Sequence, residues 1–113
     1  MNKVRQKDIW YADLNPVKGS EQAGIRPVLV VSGNLLNDHL NVVWIVPLTT
    51  KIKKYKGNPI INPDTSNGLD VTSEGIVFHL RSISKERLIR KVGEISEEAM
   101  LLAKKTINDI IEL

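Results

Sequence analysis

Four consecutive aliphatic residues, Val28-Leu29-Val30-Val31, follow directly on an Arg26-Pro27 pair and close on Ser32. A strand alternates its side chains between two faces, so an unbroken aliphatic run fits a strand covered on both sides. Such a strand needs material above and below it. Asp8–Leu14, DIWYADL, alternates, carries aromatics and is broken by Asn15-Pro16, so it reads as a strand. Asn41–Leu48, NVVWIVPL, is another β-rich run, in which Pro47 is expected to mark the end or a sheet edge. A short apolar piece, Pro59-Ile60-Ile61, lies between prolines, and Asn67-Gly68 is the expected hairpin tip of a turn-rich stretch. Gly75–Ile83 reads as a strand, Ser84–Leu88 as a short helical segment and Arg90–Ile95 as a last strand. Gly33–Asn41 is polar and turn-like, and Trp10, Trp44 and Phe78 fall in expected strands and are expected in the core.

The final segment, Ser96–Leu113, is the clearest helix. Ser96 suits an N-cap, and Glu97 and Glu98 suit the positive end of the helix dipole. Met100, Ala103, Ile107, Ile110 and Ile111 recur at helical spacing, with Lys104 and Lys105 off that face. Five or six short strands and one C-terminal helix predict class α+β: a small β-barrel or strongly curved antiparallel sheet.

The 113 residues suffice for a single domain spanning 1–113. With 42% hydrophobic and 26% charged residues the composition is that of an ordinary globular chain. No apolar run approaches the roughly 20 residues of a membrane span, so no membrane role is expected. The N-terminus has basic residues with no apolar stretch after them, unlike a secretory signal. Cysteine is absent, which excludes disulfides and thiolate chemistry and fits a cytoplasmic setting. The net charge of +3 permits an anionic partner without demanding one.

Absences narrow the chemistry. There is no GxxxxGK loop, no GxGxxG and no paired-histidine metal motif. Asp64, Asp70 and Glu74 lie in a turn-rich region without ligand spacing, so no metal and no cofactor are expected. The polar loop ahead of the aliphatic run is more informative. Gly19 and Gly24 allow tight turning, and Ser20, Glu21 and Gln22 offer hydroxyl, carboxylate and amide groups in a row. Arg26, between this loop and a rigid strand, presents a planar fork of donors that suits a phosphate, or a structural ion pair with Glu21 or Asp13. Thr49 and Thr50 close the strand ending PLTT and precede KIKKYK, Lys51–Lys56. That loop is either a solvated lysine loop or a nucleic-acid contact. In the second reading Lys53, Lys54 and Lys56 attract phosphates and Tyr55 stacks on an unpaired base. His79 should face the opposite side of its strand from Phe78; it is either a structural histidine or, if it faces the loops, a proton carrier.

DIWYADLNPVKGSEQAGIRPVLVVS, then VPLTT, then LRSISKERL, in this order and spacing before a C-terminal helix, resemble the MazF/PemK toxin family. The resemblance covers nearly the whole chain. It implies an SH3-like barrel that forms a homodimer. It also implies a ribosome-independent, metal-independent endoribonuclease acting on single-stranded RNA. Such a toxin is held inactive by an antitoxin whose acidic, flexible tail blocks the RNA site. The family's catalytic arginine falls on Arg26 and its catalytic threonine on Thr49, and its polar site-lining loop on Ser20, Glu21 and Gln22. Many relatives carry glutamine where this chain has His79, often after an acidic residue where it has Phe78. The chemistry so implied is attack of a 2′-hydroxyl on the adjacent phosphorus. Arg26 would stabilise charge and Thr49 would hydrogen-bond a phosphoryl oxygen, with Glu21 and His79 as the two candidates for the base. Two other readings stay open: a non-catalytic toxin of the same fold that binds a protein such as gyrase, as CcdB does, and an inactive RNA-binding barrel.

Overall fold

The computed structural model describes residues 3–15 and 24–112. Seven strands are present among them: β1 Asp8–Asp13, β2 Ile25–Val30, β3 Val42–Thr49, β4 Ile60–Ile61, β5 Ser73–Gly75, β6 Arg81–Ser84 and β7 Leu88–Glu94. Two helices accompany them, α1 Asn34–His39 and α2 Glu97–Ile111. The strands run antiparallel in the order β4-β5-β3-β2-β1-β7, with β6 also paired to β3. The architecture is a curled antiparallel half-barrel with a C-terminal helix, class α+β.

The aliphatic run behaves as its pattern requires. Val28, Leu29 and Val30 are wholly buried, and they alternate between two apolar clusters. Leu29 joins Ile9, Val46, Leu48, Met100 and Ala103 beneath α2. Val28 and Val30 join Trp10, Leu14, Val43, Ile45 and Ile83 on the opposite face. Fully burying an aliphatic side chain is worth about 1.5–3 kcal/mol, so this central strand anchors both halves of the core.

β3 divides one of its edges between two partners. Val42–Ile45 pair with β6, Leu48 and Thr49 pair with β5, and Pro47 lies between the two ladders. The Pro47 carbonyl accepts from Ile76 N–H at 2.9 Å, so the donor that proline lacks would have pointed into this gap between partners. Pro47 thus marks neither the end of the strand nor an outer edge, contrary to the sequence expectation; it marks a change of partner.

Several local expectations need correction. The strand expected over Gly75–Ile83 is broken by a 3₁₀ turn at Val77–His79 between β5 and β6. Gly33–Asn41 contains α1. Trp10 is buried, but Trp44 is 45% and Phe78 54% exposed, so neither is core. Trp44 lies on β3 where it pairs with β6, between the buried Val43 and Ile45, and α2 does not cover its face there. Asn67-Gly68 is not a two-residue hairpin tip, because the connection from β4 to β5 runs from residue 62 to 72. Asn67 is buried, and Gly68, at φ +68°, lies so close to β7 that an added Cβ would stand 2.2 Å from the Val92 carbonyl oxygen.

The short helical segment expected at Ser84–Leu88 is a 3₁₀ turn at Lys85–Arg87, and the last strand and the helix form where expected. Ser96 caps α2 by accepting from Ala99 N–H at 3.2 Å, an arrangement worth about 1 kcal/mol. The apolar face of α2 is buried at Met100 and Ala103 and packed at Ile107, but Ile110 and Ile111 are exposed. Among the described residues no helix is long and apolar enough to cross a membrane.

Candidate active site

The antiparallel pairing of β2 with β3 sets Val28 opposite Pro47. Continuing that register by two residues brings Arg26 across from Thr49, on one face, where the two strands emerge from the sheet. Both residues line a single cleft of about 600 Å³, within the ordinary size range of ligand sites. Thr50, Lys53, Tyr55 and His79 line it as well. The remaining loop lysines of the sequence reading, Lys54 and Lys56, do not. Ser20, Glu21 and Gln22 lie outside the described residues; the described flanks of the loop that carries them, the end of β1 and the start of β2, stand at this end of the sheet. Its base is tied where it is described: Leu14 N–H donates to the Gly24 carbonyl at 3.0 Å and Gly24 N–H to Asn15 Oδ1 at 3.1 Å. The Arg87 guanidinium donates to the carbonyls of Asp13, at 3.1 Å, and Asn15.

Arg26 is half-buried and donates through Nη1 to the Leu48 carbonyl at 3.4 Å. Burial lowers its pKa from the ordinary arginine value, which weakens its hold on its protons without removing the charge. The Thr49 hydroxyl oxygen accepts from Lys51 N–H at 3.1 Å. That bond fixes the oxygen at the strand end and leaves the hydroxyl hydrogen to be donated outward.

The basic loop is organised from below. Glu74, on β5, is completely buried, and its carboxylate accepts from three successive backbone amides: Lys53 at 2.7 Å, Lys54 at 2.8 Å and Tyr55 at 3.1 Å. Asn58 Nδ2 donates to the same group at 2.9 Å. Lys54 stands at φ +57°, and a left-handed residue in such a run turns successive N–H groups into one concavity, an anion-binding nest. Burial pushes the Glu74 carboxyl up, but the Asn58 amide and the N–H groups of Lys54, Lys53 and Tyr55 together outweigh it and hold the group below the usual glutamate range. The far end of the loop is tied to α2, where the Thr106 hydroxyl donates to the Gly57 carbonyl.

Lys51, part of the basic loop read from the sequence, also lines the cleft, as does Phe78, which was expected in the core; Glu74, read only as an acid in a turn-rich stretch, shapes its wall. Phe78 and His79 were expected on opposite faces of a strand; in the 3₁₀ turn both line the cleft, with ring centroids 4.7 Å apart. His79 Nδ1 is buried and has no hydrogen-bond partner among the described residues. Also among the described residues, no three His, Asp or Glu side chains come together as metal ligands.

The cleft therefore offers a guanidinium, a hydroxyl donor and an imidazole between strand ends, beside a lysine-bearing wall with two exposed aromatic rings. Such a set suits a phosphodiester whose neighbouring bases are unpaired. Comparison with known proteins agrees. The chain is 34% identical over 98 residues to Endoribonuclease EndoA of Bacillus subtilis, covering 86% of this chain and 84% of that one. It is 32% identical over 111 residues to Endoribonuclease MazF of Staphylococcus saprophyticus, covering 97% and 89%. The crystal structure of MazF from Deinococcus radiodurans superposes with a TM-score of 0.87 at 20% identity, covering all of both chains. A MazE-MazF structure from the same organism matches with a TM-score of 0.78 at 19% identity, covering 98% of this chain and 97% of that one. With the profile of the PemK-like, MazF-like toxins of type II toxin–antitoxin systems matching residues 5–111, this chain belongs to that family.

Proposed function

We propose that this chain is a toxin endoribonuclease that cuts single-stranded RNA at short sequences by 2′-hydroxyl attack. The reading rests on one observation: Arg26 and Thr49, on adjacent antiparallel strands, line the same cleft. Their roles follow from their chemistry. His79 takes the proton of the 2′-hydroxyl, O2′ bonds to the adjacent phosphorus, and the bond from phosphorus to O5′ breaks. The leaving O5′ takes a proton from the Arg26 guanidinium or from solvent, so the products are a 2′,3′-cyclic phosphate and a 5′-hydroxyl. Charge on the phosphorane oxygens is met by the Arg26 guanidinium and by the Thr49 hydroxyl. Glu21, in the segment outside the described residues, is the alternative base. Ser20, Gln22 and Thr50 contact the RNA beside the scissile phosphate, and Lys53, with Lys54, Lys56 and Tyr55 on the same loop, supplies affinity for the strand.

The chemistry so written requires no metal. The chain acts as one domain over its full length, in the cytoplasm, as a homodimer. An antitoxin with an acidic C-terminal segment silences it by covering the cationic cleft, since acidic side chains compete with phosphates for the same donors. Incubating the protein with a long single-stranded RNA in excess EDTA tests the reading. Discrete fragments ending in cyclic phosphate are expected. Binding without cutting identifies an inactive RNA-binding barrel, and neither binding nor cutting returns the chain to the class of toxins that grip a protein target.

A further inference from the structure

Beside the catalytic pair, the rim of the cleft carries two aromatic rings: Tyr55, given above only a general share in affinity for the strand, and Phe78, given no role. Tyr55 is 52% and Phe78 54% exposed, and their centroids lie 5.8 Å apart at 65°. Exposing two large rings side by side leaves apolar surface in water that a core position would bury. The rings belong to different segments, Tyr55 to the basic loop and Phe78 to the 3₁₀ turn.

One buried network joins those two segments. Glu74 accepts from Tyr55 N–H and from Asn58 Nδ2, and Asn58 Oδ1 accepts in turn from Val77 N–H at 3.2 Å, one residue before Phe78. Asn58 is buried, so the network is shielded from water. At the surface it sets the relative placement of the two rings and of His79 next to them.

We propose that Tyr55 and Phe78 form a stacking subsite for one unpaired base flanking the cut, and that Glu74 and Asn58 are positioning residues that hold the two rings together. The inference rests on the ribonuclease reading for its occupant. An aromatic face accepts any base, and neighbouring Lys51 and Lys53 supply the charge for the attached phosphates. Stacking one base on an aromatic side chain is worth about 1–3 kcal/mol by alanine substitution, a loss of roughly 5- to 150-fold in affinity.

The experiment has two parts. In the first, ring signals of Tyr55 and Phe78 are followed by NMR while adenosine monophosphate, ribose 5-phosphate or a short acidic peptide is added in separate titrations. The proposal expects both rings to shift with the nucleotide and not with the sugar phosphate. Rings that ignore the nucleotide, or that move only with an acidic peptide, overturn it, the latter result assigning the rim to a protein partner. In the second part, cleavage of a long single-stranded RNA is measured for Phe78→Ala, Phe78→Tyr and Glu74→Gln. Phe78→Ala should raise KM about tenfold with kcat nearly unchanged, and Phe78→Tyr should restore it. Glu74→Gln should raise KM in the same direction and weaken the ring-to-ring NOE. A Glu74→Gln enzyme with reduced active fraction but unchanged KM assigns Glu74 a purely structural role and overturns the positioning claim. If RNA is not cut at all while the rings still respond to the nucleotide, the subsite stands and the ribonuclease reading fails.

Discussion

The two walls of the cleft are built on different principles. One wall, carrying Arg26 and Thr49, is made by strand register: the β2–β3 ladder aligns the two strands, and pairing of Arg26 with Ala12 on β1 and of Thr49 with Glu74 on β5 fixes the backbone of each residue. The other, Lys51–Gly57, has no ladder of its own and takes its shape from a single buried carboxylate and from Thr106 on α2. A ladder distributes its support over many bonds and tolerates losing one of them. A loop gathered around Glu74 depends on one residue. On the proposed reading the consequence is a division of labour, with stabilisation of the phosphorane on the wall set by strand pairing and grip on the substrate on the wall that one substitution can loosen.

Arg26→Ala should break the first wall most severely, lowering kcat for RNA cleavage by about 100- to 1,000-fold or more with the fold intact. Activity at the wild-type rate would remove Arg26 from the chemistry. Thr49→Ala should follow at about 10- to 100-fold, because a neutral hydroxyl donates more weakly than a cation. The second wall should respond differently. Glu74→Ala orphans three backbone amides and should cost about 1–3 kcal/mol in urea unfolding, together with a raised KM. Acid should reveal the same group. Its carboxyl sits below the usual glutamate range, so the stability it contributes is complete above that range and is lost as pH falls through the lower folded value. The wild type should therefore lose stability in acid more steeply than Glu74→Gln, and parallel pH profiles would count against the network. The smallest effect concerns charge alone. Neutralising Lys53, Lys54 and Lys56 together should flatten the salt dependence of RNA binding by about 0.7 in slope for each phosphate that is no longer neutralised. Lys53 should account for most of it, since Lys54 and Lys56 do not line the cleft.

The residues of both walls were legible in the sequence, but what shapes the second was not, for a physical reason. Arg26 and Thr49 sit at the ends of aliphatic runs, so the pattern that forms the strands also locates the residues at their mouths. Glu74 looked like any acid in a turn-rich stretch because its partners are backbone amides some twenty residues away, which carry no side-chain signature. Phe78 was misplaced because an apolar run gives no sign that Val77–His79 turns through a 3₁₀ helix instead of extending. Trp44 was misplaced because strand periodicity tells which residues share a face and not whether that face is covered at each point along the strand. The helix was read correctly to its cap, yet its apolar stripe outruns its burial, and Ile110 and Ile111 emerge beyond the core.

The change of partner at Pro47 has a bearing on how such a site diversifies. Among the described residues, the backbone N–H groups across the gap, from Ile76 to Leu80, give the sheet one bond, from Ile76 N–H to the Pro47 carbonyl, while His79 and Leu80 N–H bond within their own turn and Val77 N–H bonds to Asn58. A new side chain at position 78 can therefore be tried without breaking a rung of the barrel, so substrate preference is free to drift there while Arg26 and Thr49 keep their places.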